Sequence, residues 1–253
     1  MISINSDRAA YARRFGWCRD SMVKSYFEGI FGCGFAEREN SPRWVGVRAG
    51  DYIFCAGEPI NIGGLAEYIL GDMGGKAVIV PEDAAGWLEA LNDCGPEYSA
   101  VTRYHLRLPE GGLDTELLRR TAGSINGCMR LVRAGEAEYP LLRNCKWETF
   151  AANFKGMEDF LTNGFAYCIF AGDELASAAS TFGYYSGGYE LSIATDPKYR
   201  RRGLAHAAAA AFLLECQRRG KTPHWDAAHP GSARIAQRLG YIPDGEYTAL
   251  KKK

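Results

Sequence analysis

Apolar positions recur along this chain at two periods, and the changes between them mark out the elements. Met22, Val23, Tyr26, Phe27 and Ile30 fall at helical spacing within 20–31, where Asp20 or Ser21 can cap the start. Trp44-Val45-Gly46-Val47 and Tyr52-Ile53-Phe54-Cys55 flank Ala49-Gly50-Asp51 and predict a hairpin whose turn needs its glycine. The pattern then predicts a helix over 65–70, a buried strand over 77–81, a helix over 84–91 and a strand over 99–108. Pro109-Glu110-Gly111-Gly112 is a turn, and Ala122-Gly123-Ser124-Ile125-Asn126-Gly127 reads as the loosest connection in the chain. A boundary placed there divides the chain into an N-terminal α/β domain, residues 1–124, and a C-terminal domain, residues 125–253. In the second domain a strand at 128–133 precedes helices around 137–145 and 155–162 and strands at 165–171, 174–182 and 189–195. A long helix at 203–219, a strand at 222–227, a helix at 232–239 and a strand near 246–250 follow. The fold class is mixed α/β.

The most informative stretch is Tyr189-Glu190-Leu191-Ser192-Ile193-Ala194-Thr195-Asp196-Pro197-Lys198-Tyr199-Arg200-Arg201-Arg202-Gly203-Leu204-Ala205. An alternating strand passes through a basic, glycine-containing turn into an alanine-rich helix. The first N–H groups of a helix have no intrahelical partner and sit at the positive end of its dipole, so such a turn can hold phosphate oxygens. Pro197 ends the strand's hydrogen bonding, and Gly203 lets the backbone come close. Three arginines at a solvated corner would describe the same residues in purely structural terms. The following helix places Ala205, Ala208, Ala209, Phe212, Leu213 and Cys216 on one stripe, with Glu215, Gln217, Arg218 and Arg219 toward solvent or the C-terminal end.

Arg200, Gly203 and Ala205 fill the Arg/Gln-x-x-Gly-x-Gly/Ala motif of the GCN5-related N-acetyltransferases (GNATs), which this chain resembles. The resemblance extends upstream to Glu190 and downstream through Trp225-Asp226-Ala227 and Ser232 to Leu239-Gly240-Tyr241. It is strong over 125–253, weaker over 1–120, and nearest to the two-domain branch that includes antibiotic self-resistance acetyltransferases. It implies a C-terminal GNAT fold with a mixed twisted sheet, in which the strands at 189 and 222 splay apart around the pantetheine arm of acetyl-CoA. A smaller N-terminal α/β domain is then expected to shape the acceptor pocket. The residues implied to hold acetyl-CoA are Ile193, Ala194, Thr195, Arg200, Arg201, Arg202, Gly203, Leu204, Ala205, His206, His229 and Ser232, the first three through backbone N–H groups. Glu190 is the candidate base for an amine that is mostly protonated at neutral pH. Ala236 occupies the family's usual tyrosine acid position, and His229 stands where an asparagine is usual, so His229 is a candidate acid as well as a contact. Ser232 can cap the helix that follows. The expected acceptor is a small-molecule primary amine, with an antibiotic among the candidates. A protein or peptide amine, or a non-catalytic acyl-CoA sensor, is the alternative.

Composition narrows the classes further. Thirty basic and thirty acidic residues cancel, so no global field draws the chain to nucleic acid or to an anionic membrane. The N-terminus lacks the basic and then apolar blocks of a signal peptide, and the longest apolar run, 204–214, is too short to span a bilayer. Eight scattered cysteines with no Cys-x-x-Cys pair look like ordinary buried thiols of a cytoplasmic protein, without a metal site. The expected assembly is a monomer or a homodimer. Gly71-Asp72-Met73-Gly74-Gly75-Lys76 is one residue short of a P-loop and precedes a strand, and no Gly-x-Ser-x-Gly or His-Glu-x-x-His is present.

Overall fold

The computed structural model describes residues 1–72, 77–80, 84–95, 97–125 and 127–253, with the side chains of 70–72 excepted. The P-loop-like run therefore lies partly outside the described residues, as does Pro81 at the end of the strand expected over 77–81. The chain forms two compact units, Met1–Arg103 with Glu246–Lys253, and Tyr104–Gly245. The 122–127 connection lies inside the second.

The first unit contains β1 (Ile2–Ser3), α1 (Arg8–Tyr11), α2 (Ser21–Phe27), β2 (Cys33–Ala36), β3 (Trp44–Ala49), β4 (Tyr52–Gly57), α3 (Gly63–Asp72), β5 (Ala77–Ile79) and α4 (Ala84–Asp93). Next comes β6 (Tyr98–Arg107), whose last four residues belong to the second unit. The Asp20 carboxylate caps α2 by accepting from Met22 N–H. The hairpin of β3 and β4 pairs Ala49 with Tyr52 across Gly50, which takes a left-handed φ of 60°. Trp44, Ile53, Leu65, Val78, Trp87 and Leu91 are all buried in its core.

The second unit adds α5 (Thr115–Ala122), β7 (Met129–Arg133), α6 (Tyr139–Arg143), α7 (Met157–Asn163), β8 (Ala166–Ala171), β9 (Glu174–Tyr185) and β10 (Gly188–Thr195). After these come α8 (Leu204–Arg218), β11 (Thr222–His224), β12 (Asp226–Ala227), α9 (Pro230–Arg238) and β13 (Ile242–Lys252), which runs on into the first unit. Its five-stranded sheet has the order β11-β10-β9-β8-β7, antiparallel except for the parallel pair of β10 and β11. Helix α8 packs on this sheet and against α5, with Leu204, Ala207 to Leu213 and Cys216 buried.

Three expectations need correction. The strand read over 222–227 is two strands: β11 joins β10, whereas β12 pairs with β6 through Asp226 and His105. Trp225, buried between them, packs edge-on against Tyr241 with ring centroids 5.6 Å apart. Glu215 does not face solvent; it is buried and paired with Arg218 at 2.7 Å and Arg219 at 2.8 Å. The thiols are mixed, with Cys55, Cys168 and Cys216 buried but Cys94 and Cys128 exposed. Helix α5 was not anticipated, although Asp114 caps it by accepting from the N–H groups of Glu116 and Leu117. No described helix is long and apolar enough to cross a membrane.

Candidate active site

The site grows from one irregularity in the second unit's sheet. Strands β10 and β11 are in register from Gly188 opposite Thr222 to Glu190 opposite His224, and there the pairing stops. At the paired end the two backbones are so close that a β-carbon on Gly188 would run into the Thr222 carbonyl oxygen. Beyond Glu190, β10 continues for five residues paired with β9, and its other edge has no strand partner among the described residues. The Asp196 N–H donates to the Ala176 carbonyl on β9. Because strand N–H groups alternate in direction, Ala194 also turns toward β9, while Ile193 and Thr195 turn theirs to the open edge. Of the three expected backbone donors, the structure brings two to that edge.

A bulge between Glu190 and Leu191 shifts the register with β9 and lets both adjacent residues be buried. Leu191 enters the core under α8. Glu190, only 5% exposed, accepts the Asp226 N–H on its Oε1 at 3.2 Å and so ties the first residues of β10 to the start of β12. The same register places His224 across from Glu190 on the same face, and the His224 Nε2 lies 3.0 Å from the Tyr185 hydroxyl. Sequence reading singled out neither residue, and the polar alternation of Thr222, His224 and Asp226 was the signal at His224.

At the other end of β10 the Asp196 carboxylate caps a short 3-10 turn, Pro197–Tyr199, and Arg200 Nε donates back to the Thr195 carbonyl at 3.2 Å. Glu174 accepts from Lys198 Nζ and from the Tyr199 hydroxyl, fixing the outer wall of the turn. Hydrogen bonding to Lys198 and Tyr199 holds the Glu174 carboxyl below its ordinary range. Arg201 and Gly203 then both take left-handed φ, 66° and 78°. A non-glycine residue held there costs about 1–2 kcal/mol, so the turn stores strain at Arg201 and avoids it at Gly203. Among the described residues no side chain caps α8, and none lies within 4 Å of where a Gly203 β-carbon would sit. Arg200, Arg201 and Arg202 are exposed around this space. Leu204 is buried in the core and can offer only its N–H, whereas Ala205 is half-buried at the opening of α8. His206 is half-buried, with its Nε2 enclosed without a partner among the described residues. Burial, and then the nearby Arg238 charge, lower its pKa.

His229, not Ser232, caps the helix that follows. The exposed His229 is the N-cap of α9, accepting the Ser232 N–H on Nδ1 at 3.2 Å, which leaves the neutral ring's proton on Nε2. Ser232 lies too far inside the helix to cap it, and its hydroxyl accepts from the Trp225 indole N–H at 3.0 Å. Ala236 is fully buried. Tyr241 donates to the Pro223 carbonyl, and burial raises its pKa well above the ordinary value.

Comparisons with known proteins match the chain over nearly its whole length. The GNAT acetyltransferase family model matches residues 13–250. The chain belongs to that family. A GCN5-related N-acetyltransferase-like protein from Streptococcus suis 89/1591 superposes with a TM-score of 0.88 at 25% identity, over 99% of this chain and 100% of that one. A GCN5-related N-acetyltransferase from Kribbella flavida gives 0.56 at 18% identity over 97% of this chain and 95% of the other. A Drosophila protein gives 0.60 at 13% identity over 98% and 96%. These two share the fold. None of the curated proteins matches the chain. Members of this family transfer acyl groups from acyl-CoA to amine acceptors.

The turn supports a direct prediction. Gly203→Ala meets no steric obstacle, so its whole effect comes from the left-handed φ. That strain, about 1–2 kcal/mol, opens the turn and is expected to weaken CoA binding by about tenfold, as measured by calorimetry. CoA affinity equal to wild type in a folded Gly203→Ala protein would show that the turn does not hold the phosphates.

Proposed function

We propose that this GNAT protein moves acetyl from acetyl-CoA to a primary amine of a small molecule in the cytoplasm, with an antibiotic amine among the candidate acceptors. The observation that carries the reading is the parting of β10 and β11 directly after Glu190. A buried carboxylate there can take a proton from the attacking amine, directly or through water. The Ile193 and Thr195 N–H groups on the open edge can donate to the amide-rich pantetheine arm and to the thioester oxygen as it gains charge. The uncapped N-terminus of α8, the left-handed turn and Arg200 to Arg202 suit the diphosphate. His206, its charged form disfavoured, lines the opening of α8 as a neutral contact, and the His229 Nε2–H remains available as a donor to the cofactor. The cysteines form no disulfide among the described residues, which suits a reducing compartment. The burial of Ala236 favours a second reading, a non-catalytic acyl-CoA sensor.

The test measures binding first and turnover second. A ligand that binds only the folded protein raises its stability by about 2.7 kcal/mol at 100 times its dissociation constant, so acetyl-CoA and CoA should both raise Tm. Thiol release is then followed with acetyl-CoA and a panel of spermidine, tryptamine, kanamycin and a lysine peptide. Binding with turnover of a small amine supports the proposal, and binding without thiol release supports the sensor. Preference for the peptide moves the acceptor to a protein, and an unchanged melting curve rejects acetyl-CoA as the donor.

A further inference from the structure

We propose that Asn153 is a positioning residue for Glu190 and acts through the bulge beside it, an inference that rests on the transferase reading above. The extra residue of that bulge is Phe182: Glu190 is paired with Gly183 and Leu191 with Thr181, so no residue of β10 is its partner. The backbone groups of such a residue lose their place in the ladder and need partners elsewhere. The Phe182 carbonyl accepts the Asn153 side-chain N–H at 2.8 Å, across 29 residues of sequence. A carbonyl oxygen can only accept, so the Asn153 nitrogen, and not its oxygen, faces the strand.

The position of the bulge decides what stands beside the carboxylate. Residues directly paired across two strands share a face, and Gly183, opposite Glu190, has no side chain to put there. Were the bulge to move by one residue, Phe182 would become the partner of Glu190 and its ring would share that face. Both flanks of Phe182 are set. Thr181 is fixed to the start of β8, its N–H donating to the Phe165 carbonyl and its hydroxyl accepting the Phe165 N–H at 3.1 Å. Tyr184 is stacked on Phe154 with ring planes 9° apart. The loop that carries Asn153 is held in its turn, because Phe150 and Phe154 are buried and Arg143 Nη1 donates to the carbonyls of Ala151 and Ala152 at 3.0 and 2.9 Å. Asn153 thus joins a rigid loop to the one residue of β9 that the ladder does not fix.

Asn153→Ala and Asn153→Asp both remove the donor, and the aspartate keeps the volume. Their turnover is measured with acetyl-CoA and whichever panel amine wild type acetylates fastest. Each variant should bind CoA as wild type does in calorimetry, because α8 and the turn before it are untouched. At pH 7 kcat should fall by about 10–10²-fold, the cost of a catalytic group misplaced by about 1 Å. The loss should narrow toward pH 9, where more of the amine arrives unprotonated. The deciding readout is the same substitution in a Glu190→Gln background. A residue that acts by aiming Glu190 then has no base to aim, and Asn153→Ala should change kcat by less than about twofold there. A loosened loop would instead lower kcat by one factor in both backgrounds and at every pH. That result, or wild-type kcat in the single variants, overturns the proposal. If Asn153→Ala does not fold, Asn153→Asp decides by the same comparison. Wild-type rates in Glu190→Gln would leave nothing to position and overturn this inference while the transferase reading stands. Wild type that releases no thiol with any panel amine overturns both.

Discussion

Glu190→Gln is expected to leave CoA affinity unchanged and to lower kcat by about 10²–10⁴-fold near neutral pH, the range that a positioned acid or base contributes. Glutamine fills the same volume, and its Oε1 can still accept the Asp226 N–H that joins β10 to β12. What it cannot do is take a proton. An amine with a pKa near ~10.4 arrives protonated at pH 7, so the step that loses its base should be the slow one. As pH rises toward 9 more amine arrives unprotonated, and the gap between variant and wild type should narrow. Steady-state thiol release from pH 6 to 9 reads both effects, with CoA calorimetry as the control for binding. Equal rates for the two proteins across that range would remove Glu190 from the chemistry and leave it as the tie between two strands.

The contrast between Glu190 and its surroundings shows what the sequence could reveal. The strand, the basic turn and the α8 helix were legible because each carries local chemistry. Alternation sets the strand, Pro197 stops it, and Gly203 occupies a left-handed position that glycine alone takes without strain. The break at Trp225 was not legible. It depends on the Glu190 carboxylate holding the Asp226 N–H, on Trp225 donating to Ser232 and on Asp226 facing His105 in another sheet, none of which is local in sequence. The pairing of Tyr185 with His224 spans 39 residues, and only the parallel register makes the two neighbours. His229 shows a related limit: its place in the motif suggested the cofactor, and only its backbone neighbours show that its Nδ1 also caps α9. Glu215 was read toward solvent or the C-terminal end because a charge near the end of a helix usually lies there, but it is buried among three arginines, one of which packs over Phe165.

That enclosure makes Glu215→Gln the largest stability loss expected. The carboxylate accepts two hydrogen bonds from Arg218 at 2.7 Å and one from Arg219 at 2.8 Å, with Arg133 at 3.9 Å. Arg219 is 20% exposed, lies over the Phe165 ring at 4.5 Å and donates to the Tyr189 hydroxyl, so it cannot turn into water when its counter-charge goes. Hydrogen bonds from Arg218, reinforced by Arg219 and opposed by burial, bring the Glu215 pKa down from 4.5 to about 2. A drop of that size corresponds to about 3 kcal/mol of folding free energy, in line with the cost of breaking a buried pair, although the exposed Arg218 and Arg133 soften it toward about 2. The sign follows from a folded-state pKa below the unfolded one. The stabilisation is complete above pH 4.5 and disappears as pH falls toward 2. Urea unfolding should therefore show Glu215→Gln about 2–3 kcal/mol less stable than wild type at pH 7, with the difference shrinking steadily between pH 4.5 and 2. A difference that stays constant over that interval would mean that the glutamine destabilises through its packing, and that the arginine cluster holds α8 without help from the charge.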